Sequence, residues 1–263
     1  LAQGMVIKDG AKMSKSKGNV VDPDKIISAY GADTARIFIL FAAPPVKDLE
    51  WSDQGVEGSS RFLNRVWRIF GEFVEAIKTV KLPGESFTTT VPEIKALRRM
   101  THITIRRVTD DIATRMQFNT AIAAIMELVN HLFSFKDWWK NKNNQNETSQ
   151  MALREALETL ILTLSPFAPH IAEELGSLIG LSKTLDQITW PQYIEALTQT
   201  DEMLIVLQVN GKVRQKISVE SCISDDDLKT RSLEDLKIKE WTQGKEVKKV
   251  IVIPKKLVNI VVQ

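Results

Sequence analysis

The sequence predicts a multidomain, mainly α-helical chain that closes on a small α+β domain, and three observations carry that expectation. From about Glu57 to Leu175, apolar residues recur at spacings of three and four, the period of helices that bury one stripe. After Trp190-Pro191 the pattern changes to short apolar runs and strict alternation around Asn210-Gly211, as paired strands require. Ahead of both lies a short apolar run, Met5-Val6-Ile7, followed by a basic, hydroxyl-rich stretch with neither period.

Composition sets the frame for these elements. The chain has 263 residues, 43% hydrophobic and 26% charged, enough for two or three packed units. Lys and Arg number 35 against 33 Asp and Glu, so a net charge of +2 does not announce a nucleic-acid partner, and RNA contact has to rest on local clusters. A single cysteine, Cys222, allows no internal disulfide, disfavours a cysteine zinc site and fits a reducing compartment such as the cytoplasm, where it reads as a small apolar filler. No apolar run is long enough to span a bilayer, and Leu1-Ala2-Gln3-Gly4 shows no signal-like pattern. The lack of an initiating Met leads to the expectation that residue 1 is a cut. There is no internal repeat and no glycine-rich phosphate fingerprint of the dinucleotide or P-loop type.

The elements follow in order. Met5-Val6-Ile7 reads as a strand, Asp9-Gly10 as a turn, and Lys12 to Asn19 as a polar loop. Asp22-Pro23 reads as N-cap and first residue of a helix ending at Gly31, and Asp33 is expected to cap the next helix, which stops before Pro44-Pro45. From Glu57, the stripe Phe62, Val66, Ile69, Phe73 and Ile77 predicts a long helix. A second helix starts at Pro92, a third runs from Asn119 to Trp139, and a fourth carries Leu153, Leu157, Leu160 and Leu164. The fourth breaks at Pro166 and restarts at Pro169, and the Pro83-Gly84 to Thr90 and Asn141 to Asn146 stretches read as loops. Helices with such connections suggest an antiparallel bundle. In the last part, the strand after Asn210-Gly211 is expected to turn Val213, Gln215, Ile217 and Val219 one way and a basic row of Lys212, Arg214 and Lys216 the other. Ser224 with Asp227 starts a helix to about Trp241, and strands near Val247 to Ile253 and Leu257 to Val262 complete a ββαββ order.

The chemistry concentrates in Lys12-Met13-Ser14-Lys15-Ser16, extended by Lys17-Gly18-Asn19. Three ammonium groups and two hydroxyls on one short segment suit a polyphosphate: the lysines face negative charge growing on a leaving pyrophosphate, and Gly18 lets backbone come close. One well-aimed donor of this kind is worth ~3 kcal/mol of barrier. On charge alone, a solvated basic loop reads equally well.

The surrounding sequence resembles the class I aminoacyl-tRNA synthetases. Lys12 to Ser16 matches their second signature motif letter for letter, and Val20-Val21-Asp22-Pro23, Tyr30-Gly31-Ala32-Asp33, Arg36 and Ser165-Pro166-Phe167-Ala168-Pro169-His170 follow the family pattern. Leu49-Glu50-Trp51-Ser52, Gly55-Val56-Glu57-Gly58, Arg61-Phe62-Leu63 and Val209-Asn210-Gly211-Lys212-Val213-Arg214 look like its leucyl members. The resemblance implies the end of a Rossmann-type catalytic domain over 1–56, an anticodon-binding-like helical bundle over 57–198 and a terminal tRNA-contacting domain over 201–263. It implies ATP with Mg²⁺, leucine and tRNA(Leu) as partners, no membrane, and a monomeric complete enzyme. By the family pattern Lys15 meets the ATP phosphates most directly, Lys12 supports it, and Ser14 and Ser16 contact phosphate or hold the loop closed. The family's His-Ile-Gly-His motif is absent, since neither His102-Ile103-Thr104 nor His170-Ile171-Ala172 matches it. The leucine pocket, any editing domain and most of the nucleotide-binding sheet are therefore expected upstream, and this chain alone is expected to make no adenylate.

Arg61, Arg65 and Arg68 share one helical stripe, which reads as a solvated face or, with the resemblance, as a contact to the tRNA body. Lys212, Arg214, Lys248, Lys249, Lys255 and Lys256 could meet several phosphates, and the resemblance implies docking near the tRNA elbow and long variable arm. Most of the six tryptophans are expected in core packing, and His102, His131 and His170 show no spacing for a metal or triad. Two other functions remain to be weighed: a non-catalytic tRNA-binding module, which would not need Lys12 and Lys15, and the smaller subunit of a split synthetase.

Overall fold

The computed structural model describes residues 3–263 apart from 83–86, 182, 200–201, 221–222 and 255, so the expectations on Pro83-Gly84, Cys222 and Lys255 lie outside the described residues. Leu1–Thr198 forms one compact unit and Gln199–Gln263 a second. Among the described residues no helix is long and apolar enough to cross a membrane.

The first unit opens on a hairpin, β1 (Val6–Lys8) and β2 (Ala11–Lys12), whose turn residues Asp9 and Gly10 have φ of 53° and 71°. Two successive positive φ values make the primed turn that suits the right-handed twist of paired strands. Lys12 is thus the last residue of a strand rather than the first of a loop. β3 (Leu49–Glu50) pairs parallel to β1 and gives the order β2-β1-β3. Between them run α1 (Pro23–Tyr30), capped by Asp22 accepting from the N–H of Asp24 at 3.0 Å, and α2 (Ala32–Ala42).

α3 (Asp53–Ile77) starts four residues before Glu57, where Ser52 Oγ accepts from Gly55 N–H at 3.1 Å. A β-carbon on Gly55 would stand 2.7 Å from the Phe38 ring, so glycine is what lets α3 close on α2. The expected stripe of Phe62, Val66, Ile69, Phe73 and Ile77 is buried. It packs with α4 (Pro92–Asp110), α5 (Phe118–Trp139), α6 (Glu147–Leu164) and α7 (Pro169–Leu178) around Leu97, Ile125, Leu128, Leu132 and Leu157, none with any exposed surface. Each such side chain contributes about 1.5–3 kcal/mol through burial. α4 turns into α5 through a π-helical turn over Asp111–Arg115 that ends on Met116 at φ 52°. The loop before α6 is held by its own amides: Asn144 donates to Trp138 O at 2.8 Å, and Asn146 and Ser149 form a reciprocal cap.

Two buried polar clusters tie the bundle together. Arg98 donates to Glu155 from Nε at 2.8 Å and from Nη2 at 3.2 Å, with its guanidinium 3.7 Å from the Phe87 ring. His102 Nδ1 accepts the N–H of Ile194 at 3.2 Å, which leaves Nε2 to carry the proton toward Glu155 Oε1 at 3.2 Å. Burial alone would raise the Glu155 carboxyl, but the hydrogen bonds from His102 and Arg98 and the Arg98 charge outweigh it and hold it below the ordinary carboxylate value. Arg154 pairs with Glu158 on its own helix and donates to the carbonyl of Ile179 at 2.8 Å.

The second unit is a four-stranded sheet in the order β5-β4-β7-β6, from β4 (Glu202–Val209), β5 (Lys212–Glu220), β6 (Val247–Ile253) and β7 (Leu257–Val262). The central pair β4 and β7 is parallel and both outer pairs are antiparallel. Asn210 and Gly211, at φ 49° and 77°, make the expected turn. The single helix expected up to Trp241 is two, α8 (Asp225–Glu234) and α9 (Leu236–Thr242), because Asp235 is extended and its carboxylate caps the second by accepting from Lys237 and Ile238. Leu228 and Ile238 bury against Ile205, Leu207, Val258 and Ile260.

Candidate functional site

The basic loop leaves the β1–β2 hairpin as an ordered arch. Met13 N–H donates to Val6 O at 2.9 Å, which extends the hairpin by one bond, and Lys15–Lys17 form a 3₁₀ turn closed by Gly18 N–H on Lys15 O at 3.1 Å. Gly18 sits at φ 65°, where a β-carbon would be strained. The Ser14 and Ser16 hydroxyls are 3.2 Å apart. Lys12, Lys15, Lys17 and Ser16 are exposed, while Ser14 is half-buried.

The residue that closes the arch is Asn19, a role that nothing in the local sequence pattern signals. Its Oδ1 accepts Ser14 N–H at 2.9 Å, and its Nδ2 faces the carbonyls of Lys8, Lys12 and Ala11 at 3.1, 3.3 and 3.4 Å. The lysines and hydroxyls can thus address an anion from a backbone already shaped. Among the described residues no three His, Cys, Asp or Glu side chains converge on a metal position.

Asp33 does not cap its own helix as expected. α2 has Gly31 at its N-cap, and the Asp33 carboxylate instead accepts from the N–H groups of His170 and Ile171 and lies 2.8 Å from His170 Nδ1. One turn on, Arg36 donates to Phe167 O at 3.1 Å and Pro166 O at 2.9 Å. An aspartate two residues after Gly31, in the first turn of α2, has the look of a local cap; its partner lies 137 positions away, and no local pattern carries that information.

On α3 the three arginines are not equivalent. Arg61 is exposed and pairs with Glu57 at 3.6 Å. Arg65 is half-buried, donates to Asn130 Oδ1 at 2.7 Å and lies 5.0 Å from the Phe133 ring, with Arg68 at 5.6 Å from the same ring. Arg65 therefore joins α3 to α5, and only Arg61 and Arg68 remain on the exposed face.

In the second unit the expected basic row is broken. A bulge between Leu207 and Gln208 pairs these with Gln215 and Val213, which leaves Arg214 as the extra residue and reverses the alternation beyond it. Val213 is 55% exposed, while the Arg214 guanidinium stacks 3.4 Å from the Trp241 ring. Lys212, Lys216, Lys249 and Lys256 are exposed, and Lys248 is held by Glu246 at 2.8 Å. Of the tryptophans, Trp139 is buried, Trp51 packs edge-on to Phe38 and Trp190 donates to Thr109, whereas Trp67 and Trp241 are exposed by 47% and 42%.

Comparison with known proteins places these features together. The family described as the anticodon-binding domain of tRNA ligase matches residues 95–226, half of the chain, and tRNA synthetases class I (I, L, M and V) match residues 1–52. Leucine–tRNA ligases of Geotalea uraniireducens and Geotalea daltonii are each 52% identical, and that of Syntrophobacter fumaroxidans 49% identical, across the whole chain. The chain spans 31% of the length of each. A solved ternary complex of Agrobacterium radiobacter K84 agnB2 LeuRS, tRNA and LeuAMS is similar over 99% of the chain and 32% of its own, with a TM-score of 0.82 at 29% identity.

Proposed function

The chain belongs to the family of the anticodon-binding domain of tRNA ligases, and from that premise we propose that it is the C-terminal third of a leucine–tRNA ligase, meeting ATP with its basic loop and tRNA(Leu) with its helical and terminal parts. The observation that carries this reading is the Lys12 to Ser16 loop, intact in sequence and closed into an arch with exposed lysines, in a chain whose relatives along its full length are leucine–tRNA ligases. In the first step a leucine carboxylate oxygen attacks the α-phosphorus of ATP, the bond to the β-phosphate oxygen breaks, and pyrophosphate leaves with the electron pair. A terminal ribose hydroxyl of tRNA then attacks the leucyl carbonyl and AMP departs. Lys15 meets the charge that grows on the leaving pyrophosphate, Lys12 supports it, and Ser14 and Ser16 donate to phosphate oxygens or hold the arch. The loop offers ammonium and hydroxyl groups rather than the carboxylates that hold magnesium, so Mg²⁺ would be carried by the phosphates of the nucleotide rather than by this segment.

In this reading residues 1–56 end the catalytic domain, 57–198 form the helical tRNA-binding bundle and 201–263 the terminal tRNA-contacting domain. Arg61 and Arg68, with Lys212, Lys248 and Lys249, face RNA phosphates, while Arg65 and Arg214 shape those surfaces through Asn130 and Trp241. The complete ligase is a cytoplasmic monomer. Two assays test the reading. A complete ligase carrying this chain charges leucine tRNA and not the valine, isoleucine or methionine tRNAs, and the isolated chain shows no leucine-dependent pyrophosphate exchange. Charging of another tRNA in preference, or exchange by the chain alone, overturns it.

A further inference from the structure

We propose that Asn19 is the positioning residue of the ATP loop, a side chain that fixes where Lys12 and Lys15 are launched. The inference rests on the reading of that loop as the phosphate-binding segment. Asn19 joins the two strands of the β1–β2 hairpin to the arch, since its amide reaches Lys8 on β1, Ala11 and Lys12 on β2, and Ser14 in the loop. The orientation of the amide is settled by its surroundings: three carbonyls on one side require the NH₂, and one N–H on the other requires the oxygen. The two amide hydrogens of this half-buried side chain are shared among the carbonyls of Lys8, Lys12 and Ala11, and its oxygen takes the Ser14 N–H. Lysine is a flexible point charge, so its placement depends on the backbone that carries it. With Ser14 and Lys12 both tied to Asn19, the backbone positions from which the two lysines reach out are held relative to each other.

An interaction that only aligns charge in the transition state changes turnover rather than substrate affinity. In a complete ligase carrying this chain, Asn19→Ala is expected to lower kcat of leucine-dependent pyrophosphate exchange on the order of 10²-fold, the size of effect that a misplacement of about 1 Å produces. KM for ATP stays unchanged. Asn19→Asp is expected to behave alike, because it keeps the acceptor for Ser14 but sets an oxygen against three carbonyls. In the isolated chain, Asn19→Ala speeds hydrogen exchange of the Ser14 amide, which loses its acceptor, while amides of the helical bundle stay as protected as in the parent. Lys15→Ala serves as the control. Full turnover in Asn19→Ala with lost turnover in Lys15→Ala overturns the role of Asn19 and leaves the ATP reading standing. Full turnover in Lys15→Ala overturns both. An unchanged Ser14 amide, or a loss of protection across the helical bundle that accounts for the lost activity, also overturns the proposal.

Discussion

Asp33 and His170, 137 positions apart, meet at 2.8 Å between carboxylate Oδ1 and ring Nδ1. The same carboxylate accepts Ile171 N–H at 2.8 Å, so it caps α7, whose own N-cap residue Ala168 has no side-chain oxygen to offer. Arg36 holds the other side of the corner through the carbonyls of Pro166 and Phe167. α2 thus presents an anion to the free N–H groups of a helix start and a cation to the carbonyls just before it, and the segment that follows the basic loop is clasped to the bundle by complementary charge.

Removing that clasp is expected to weaken the first unit. Asp33→Ala leaves the His170 and Ile171 N–H groups without their acceptor, at a cost of about 1.5–3 kcal/mol. Urea unfolding of the chain measures it, and a change within about 0.5 kcal/mol, the range of an ordinary surface substitution, contradicts the assignment.

Glu155 gives the bundle an acid-sensitive point. Its carboxyl is held below the ordinary value, so its contribution is fully present above the unfolded carboxylate pKa of about 4.3 and is lost as pH falls from there through the lowered folded value. Glu155→Gln is expected to destabilise the chain by about 1.5–3 kcal/mol at pH 7 and to lose less stability than the parent on acidification. Urea midpoints from pH 7 down to pH 3 compare the two, and parallel curves contradict the account.

The terminal unit separates two kinds of basic residue. Lys212→Ala is expected to reduce the slope of log affinity for tRNA(Leu) against log salt by roughly 0.7 to 0.9, the value of one phosphate contact. Arg214→Ala is expected instead to lower the melting temperature of this unit, through loss of a cation–π stack worth about 0.5–2 kcal/mol. Equal changes in salt slope with unchanged melting contradict the division.

How much of this was legible depends on how local the cause is. Asp22-Pro23, Asn210-Gly211 and Ser224 with Asp227 act within a turn of their own position, and the structure places each where the sequence predicts. The stripe from Phe62 to Ile77 was legible for the same reason, because helix period alone sorts it inward. Asp33 was misread, and the packing partners of Arg36 and Arg65 were not legible, because those partners come from distant helices, and a carboxylate beside a helix start looks the same whether it caps that helix or another. Arg214 left its row because one bulged residue reverses every side chain beyond it, and alternation in sequence carries no mark of the bulge. The basic loop was legible as a cluster of ammonium and hydroxyl groups, but its shape was not, since Asn19 acts on backbone groups of both hairpin strands.

In the proposed function Lys12 and Lys15 meet the triphosphate as pyrophosphate departs. In a complete ligase carrying this chain, rapid-quench measurement of leucyl-adenylate formation by the Lys12→Ala, Lys15→Ala double variant isolates that role. The rate is expected to fall by at least about 10²-fold, the loss typical of one transition-state donor, with tRNA(Leu) binding retained. Adenylate formation at the parent rate contradicts it.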